Sequence, residues 1–88
     1  MSTKNDHEQS PPTGKQIAAA RALVGITQSD LARDSGLSKG TIAGYEAGRT
    51  TPTRANLAAM VAALERRGIA FRNGDSPTVT HHLKPQAP

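Results

Sequence analysis

The 88-residue chain has no cysteine and no tryptophan, and its only aromatic residues are Tyr45 and Phe71. Without cysteine, neither a disulfide framework nor a thiolate metal site can form. With so few aromatics, alanine and a handful of aliphatic residues must make the core, which suits short helices better than a wide sandwich. No apolar run approaches the roughly 20 residues of a membrane-spanning helix, and the polar N-terminus does not read as a signal peptide. Histidine is also scarce. His7 lies in a polar tail, and His81 and His82 are neighbours that a strand would point to opposite faces. There is no Cys–His pair, no metal-ligand spacing and no glycine-rich phosphate loop. These absences predict a single soluble, cytoplasmic domain with no catalytic centre, metal or cofactor, near the lower size limit of a self-sufficient core.

What the chain does have is positive charge, +4 overall with a pI near 10.1. Between Gly14 and Asn73, nine lysines and arginines stand against four acids, a net +5, so the excess belongs to the ordered part. A basic body of this size attracts polyanions, although many unrelated small proteins are equally basic.

Residues 1–13 carry Ser, Thr, Asn, Gln, Glu and two prolines with no apolar residue after Met1, and are expected to be a disordered tail. Residues 84–88 read the same way. From Lys15 to Val24, Ile17, Ala20, Arg21 and Val24 share one helical face, and Gly25 ends the run. Thr27 is a good N-cap, with Asp30 three places on as the acidic half of a capping box. A second helix over Gln28–Ser35 turns Leu31 and Ala32 inward, and Gly36 supplies a positive-φ turn. Ser38 caps a third helix over Lys39–Ala47 with Ile42 and Tyr45 inward, closed by Gly48. Thr53 caps a fourth, about Arg54–Arg67, on which Leu57, Met60, Val61 and Leu64 form a core-facing stripe. After Gly68 the period changes to that of strands. Ile69–Arg72 and Thr78–His82 predict a short hairpin around Asn73–Pro77.

Two short helices joined by a turn at Gly36 have the outline of a helix-turn-helix, with Ala32, Leu37 and Ile42 five apart at the crossing. The same outline fits an ordinary helical hairpin in a small bundle. The residue order separates the two. Ile26 to Pro52 carries Thr27-Gln28, Leu31-Ala32, Gly36, Ser38, Ile42, Glu46, Gly48 and Pro52, and in this it resembles the Cro/CI-type (phage-repressor-like) helix-turn-helix family. The resemblance spans about Gly14 to Gly68. It implies a mainly α fold, a four-helix lambda-repressor-like domain over residues 14–68, followed here by a strand or hairpin over 69–83.

The resemblance also implies roles. Thr27 and Gln28 would contact DNA phosphates, a role the positive end of the second helix favours. The third helix would enter the major groove, with Ser38, Lys39, Gly40, Thr41 and Gly44 at the groove-facing positions. Lys39 can donate to guanine, and Thr41 can hydrogen-bond or offer its methyl to thymine. Gly40 and Gly44 depart from the polar residues common there. They leave fewer side chains for direct readout and are expected to let the backbone approach the bases. Arg49 and Thr50 would hold the DNA backbone, joined by Arg54, while Arg21 and Glu46 match a structural ion pair. Arg33, Arg66 and Arg67 read as solvated charges.

The expected function is a sequence-specific regulator of bacterial or phage type, nucleoid-associated, that binds double-stranded DNA, most simply a repressor bound as a homodimer to a palindromic operator. The hairpin, with Ile69, Phe71 and Val79, is the candidate dimerisation element, unless it folds back on its own helices. Two other readings stay open. One is an antitoxin-like module with a protein partner; the other is an interaction adaptor on a degenerate helix-turn-helix, with Gly40 and Gly44 marking lost readout.

Overall fold

In the computed structural model, residues 11–72 and the strand at 78–81 are described. The expected tails over 1–10 and 84–88, the turn at 73–77 and the end of the hairpin at 82–83 lie outside the described residues, as do His7 and His82. The order is α1 (Gly14–Val24), α2 (Gln28–Ser35), α3 (Lys39–Glu46), α4 (Arg54–Glu65), β1 (Ile69–Arg72) and β2 (Thr78–His81).

Each helix starts where a hydroxyl side chain satisfies an orphan N–H. Thr13, Thr27, Ser38 and Thr53 accept from the backbone three residues on. Thr27 and Asp30 form the expected reciprocal box, with both bonds at 3.0 Å. These bonds hold the Asp30 carboxyl below its usual range, chiefly through the Thr27 backbone N–H. The corner between α2 and α3 depends on Gly36, at φ 74°, which lets the Leu37 N–H reach Ala32 O at 2.9 Å.

The core gathers one or two large side chains from each helix: Ile17, Leu31, Ile42, Met60 and Leu64 are fully buried. Ala20, Ala32 and Ala63 fill the crossings, and Leu37, Tyr45, Leu57 and Phe71 pack around them. With so little aromatic volume, close approach of backbones replaces bulk. Gly14 shows how close, since a Cβ there would run into the Tyr45 carbonyl. α2 packs on α3 and α4, and α1 on α3 and α4.

β1 and β2 pair antiparallel, with Phe71 opposite Val79. β1 lies against α4 and β2 against α1. Alternation puts Ile69 and Phe71 on one face; Ile69 is buried in the core and Phe71 packs against it. The hairpin thus folds back on its own protomer, and two of the side chains expected to dimerise, Ile69 and Phe71, serve its own core.

Two further expectations need correction. The N-terminal tail does not run loose to Thr13. Pro12 is buried, its carbonyl accepts from the Tyr45 hydroxyl at 2.6 Å, and Thr13 caps α1. Arg66 and Arg67 are not idle charges either. Arg67 bridges to Asp34 at 2.7 Å and Arg66 donates to the Asp34 carbonyl at 3.2 Å, tying the end of α4 to the end of α2. Arg33 pairs with Asp30 at the surface. Among the described residues no helix is long and apolar enough to cross a membrane.

Candidate nucleic-acid interface

Ser38 begins the site. Its hydroxyl accepts the Thr41 N–H at 3.1 Å and lies 2.9 Å from the Thr41 hydroxyl. The N-cap and the third residue of α3 therefore form one hydroxyl pair at the start of the helix. Lys39 and Gly40, between them in sequence, are exposed. No atom outside the local backbone approaches Gly40 more closely than Ser38 Oγ, 3.9 Å from where a Cβ would stand. Gly40 is open surface.

Gly44 is different. It is buried, and a Cβ would stand 2.7 Å from Thr50 Oγ1. Its carbonyl also accepts the Arg49 and Thr50 N–H groups at 2.8 and 3.3 Å. The expectation that Gly44 faces the groove is therefore corrected. It is glycine because the loop after α3 folds down onto it. That packing fixes the loop bearing Arg49 and Thr50, both exposed, beside the start of α3.

The loop and two helix starts enclose a recess of about 450 Å³, lined by Ser38, Gly40, Thr41, Thr50, Thr51 and Thr53 among others. Most of its lining residues carry a hydroxyl, set on apolar walls beside the N-terminal ends of α3 and α4. Sequence reasoning placed Ser38, Gly40, Thr41 and Thr50 here but missed Thr51, Thr53 and Asn56; the Thr50-Thr51-Pro52-Thr53 run was the available signal. Arg54, exposed, is the first residue of α4. Such a recess with exposed Lys39, Arg49 and Arg54 on its flanking elements suits a polyanion.

Behind this surface sits the Arg21–Glu46 pair. Arg21 donates from Nε to Glu46 Oε2 at 2.8 Å and from Nη2 to Oε1 at 2.9 Å, a bidentate fork, while Nη1 reaches the Ile26 carbonyl at 2.9 Å. The side chains are 20% and 6% exposed, respectively. Burial alone would raise the Glu46 carboxyl, but hydrogen bonds from Arg21 and Gln28 outweigh it and hold the group below its usual range. The bonds to Glu46 in turn raise the Arg21 guanidinium. Gln28 was expected to face phosphate. The structure shows that it is half-buried, with Nε2 donating to Glu46 Oε1 at 2.9 Å. Thr27 is exposed at the same helix start, its hydroxyl engaged as the cap.

A family model described as helix-turn-helix matches residues 17–68, 52 of the 88 in the chain. No curated protein matches the chain. The matched span runs from the core face of α1 through α4. It contains the closely packed α2–α3 pair, the Gly36 corner and the surface just described. By this match and this fold, the chain belongs to the Cro/CI-type helix-turn-helix family of DNA-binding regulators.

Proposed function

We propose that this regulator is a repressor that binds a palindromic operator as a homodimer, with α3 of each copy in the major groove. The supporting observation is the exposed start of α3, where Lys39, Gly40 and the Ser38–Thr41 hydroxyl pair adjoin the loop of Arg49 and Thr50. Lys39 donates to a guanine edge and Thr41 contacts thymine, while Arg49, Thr50 and Arg54 grip the backbone. Thr27 and Gln28 serve a second backbone contact at the start of α2. Gly40 has open space above it and lets the duplex come close. In this reading the chain is non-catalytic and works in the cytoplasm on the nucleoid.

The dimer is proposed through the hairpin. Because Ile69 and Phe71 pack on their own core, the proposed contact is the backbone edge of the two-stranded ribbon, around Val79 on β2. Two copies about such a twofold axis would present their α3 helices one DNA turn apart, roughly 34–36 Å. Gly44 lends no weight to an adaptor with lost readout, since Thr50 packing accounts for it.

Genomic footprinting of the native protein is the direct test. The expected result is a protected inverted repeat with half-sites one turn apart, upstream of a gene whose expression rises when the protein is removed. Sedimentation of the full chain across a concentration series tests the dimer. A monomer at every concentration that still protects a single half-site would sink it. Truncation after Gly68 is a poor test, because it also strips Ile69 from the core.

A further inference from the structure

Glu46 touches two side chains with different jobs: Arg21, which links α1 to α3, and Gln28, which stands at the first helical position of α2. We propose that Glu46, itself held by Arg21, is a positioning residue for the DNA backbone, fixing the Gln28 amide so that its nitrogen keeps an N–H for a phosphate. This rests on the reading of Gln28 as a phosphate contact.

The argument starts from the inventory of donors. An ionised carboxylate only accepts, so the Gln28 atom 2.9 Å from Glu46 Oε1 is the nitrogen and not the oxygen. One N–H is used there, and the second stays on the same nitrogen. Turning the amide over would set Gln28 Oε1 against a carboxylate oxygen, acceptor facing acceptor, so the charge on Glu46 selects one orientation. Arg21 completes the arrangement by occupying both carboxylate oxygens, which neutralises a negative charge that would otherwise stand behind the phosphate site. If Glu46 were lost, the amide would turn freely, and its carbonyl-outward orientation would repel phosphate. Nothing in the local sequence points to this, because the two residues are 18 positions apart.

The experiment is a double-mutant cycle on the full chain, with a random-sequence DNA duplex at low salt as the probe, since a backbone contact is indifferent to sequence. Glu46→Gln removes the charge and gives position 46 a donor that accepts either amide orientation. It is expected to weaken binding about threefold to tenfold, the order of ordering one side chain. Because Gln28 is neutral and displaces no counterion, Gln28→Ala should keep the slope of the salt dependence. On a Gln28→Ala background Glu46→Gln should weaken binding clearly less than it does in the wild type. An equal loss in both backgrounds would overturn the proposal and reduce Glu46 to holding α3 on α1. Wild-type affinity in Gln28→Ala would overturn it too, while leaving DNA binding as such intact. A wild-type chain that fails to bind any duplex would instead remove the reading beneath it. Should Glu46→Gln not fold, the wild type carries the test through the side-chain amide resonances of Gln28. On adding duplex one amide proton should shift while the Glu46-bound one holds; both moving together, or neither, refutes the proposal.

Discussion

Replacing Gly14 by alanine tests whether close backbone approach holds this small core together. Gly14 is the first residue of α1 and is buried. A Cβ there would collide with the Tyr45 carbonyl oxygen and carbon and come within 3.1 Å of Glu46 Cα. All three are backbone atoms of α3, so no side chain can swing away and the two helices must part. Overpacking of this kind costs about 1–3 kcal/mol, against a small gain from helix propensity at a terminal position. For a domain of this size each kcal/mol moves Tm by about 4–8 °C. Gly14→Ala is thus expected to lower Tm by at least several degrees in a far-ultraviolet circular dichroism melt. Gly40→Ala is the control: the same chemical change in a helix with open space around it, expected to stabilise by up to about 1 kcal/mol and raise Tm. If Gly14→Ala melts at or above wild type, α1 and α3 are not in contact as described, and the account of the core is wrong.

Arg21→Ala leaves the Glu46 charge buried without its fork and is expected to lower Tm, approaching the roughly 3–5 kcal/mol of a broken buried pair, less what the partial exposure of Arg21 screens. A thermal melt checks it, and no change would place the pair at the surface. In acid, the depressed Glu46 and Asp30 carboxyls give stability that is complete above the unfolded carboxylate range, about pH 4, and is lost as pH falls through their lower folded values. Melts across an acid series should show this, with a shallower acid loss in Glu46→Gln than in wild type. Lys39→Ala is expected to cost specific binding about 1–3 kcal/mol at one operator position and to relax preference there, as read by competition with point-substituted duplexes. Uniform weakening across all those duplexes would make Lys39 a backbone contact instead.

What the sequence made legible is what short range dictates. The Thr27–Asp30 box, the Ser38 cap and the Gly36 corner each involve residues within a few positions. Periodicity found Ile17, Leu31, Ile42, Met60 and Leu64 because a buried helix face repeats. The Arg21–Glu46 pair, 25 residues apart, was reached by family resemblance and not by pattern. What stayed hidden is contact between segments that carry no periodic mark. Examples are Gly14 against Tyr45, Pro12 under the Tyr45 hydroxyl, Thr50 on Gly44, and Arg67 on Asp34 across 33 residues. A glycine looks the same in sequence whether it yields space to DNA, as proposed for Gly40, or to a threonine, as at Gly44.

That difference bears on how such a helix can choose an operator. With Gly44 covered and Ile42 buried, the exposed positions of α3 and its caps are Ser38, Lys39, Gly40 and Ala47, with Thr41, Ala43, Tyr45 and Glu46 half-exposed. The Tyr45 hydroxyl is engaged by Pro12 and the Glu46 carboxylate by Arg21 and Gln28, which leaves Lys39 as the one long polar side chain open to bases. In the proposed docking a single lysine and one hydroxyl pair supply the hydrogen bonds to bases, too few to define a half-site by direct readout. The rest must come from how the duplex fits a smooth helix and a rigidly seated loop, through groove width and the ease of bending at base pairs the protein does not touch. Operator variants changed only at such untouched positions should then differ measurably in affinity, and a titration series over them would show it. If every uncontacted substitution binds alike while changes opposite Lys39 abolish binding, shape carries no information here, and the lysine contact must be stronger than one bidentate pair allows.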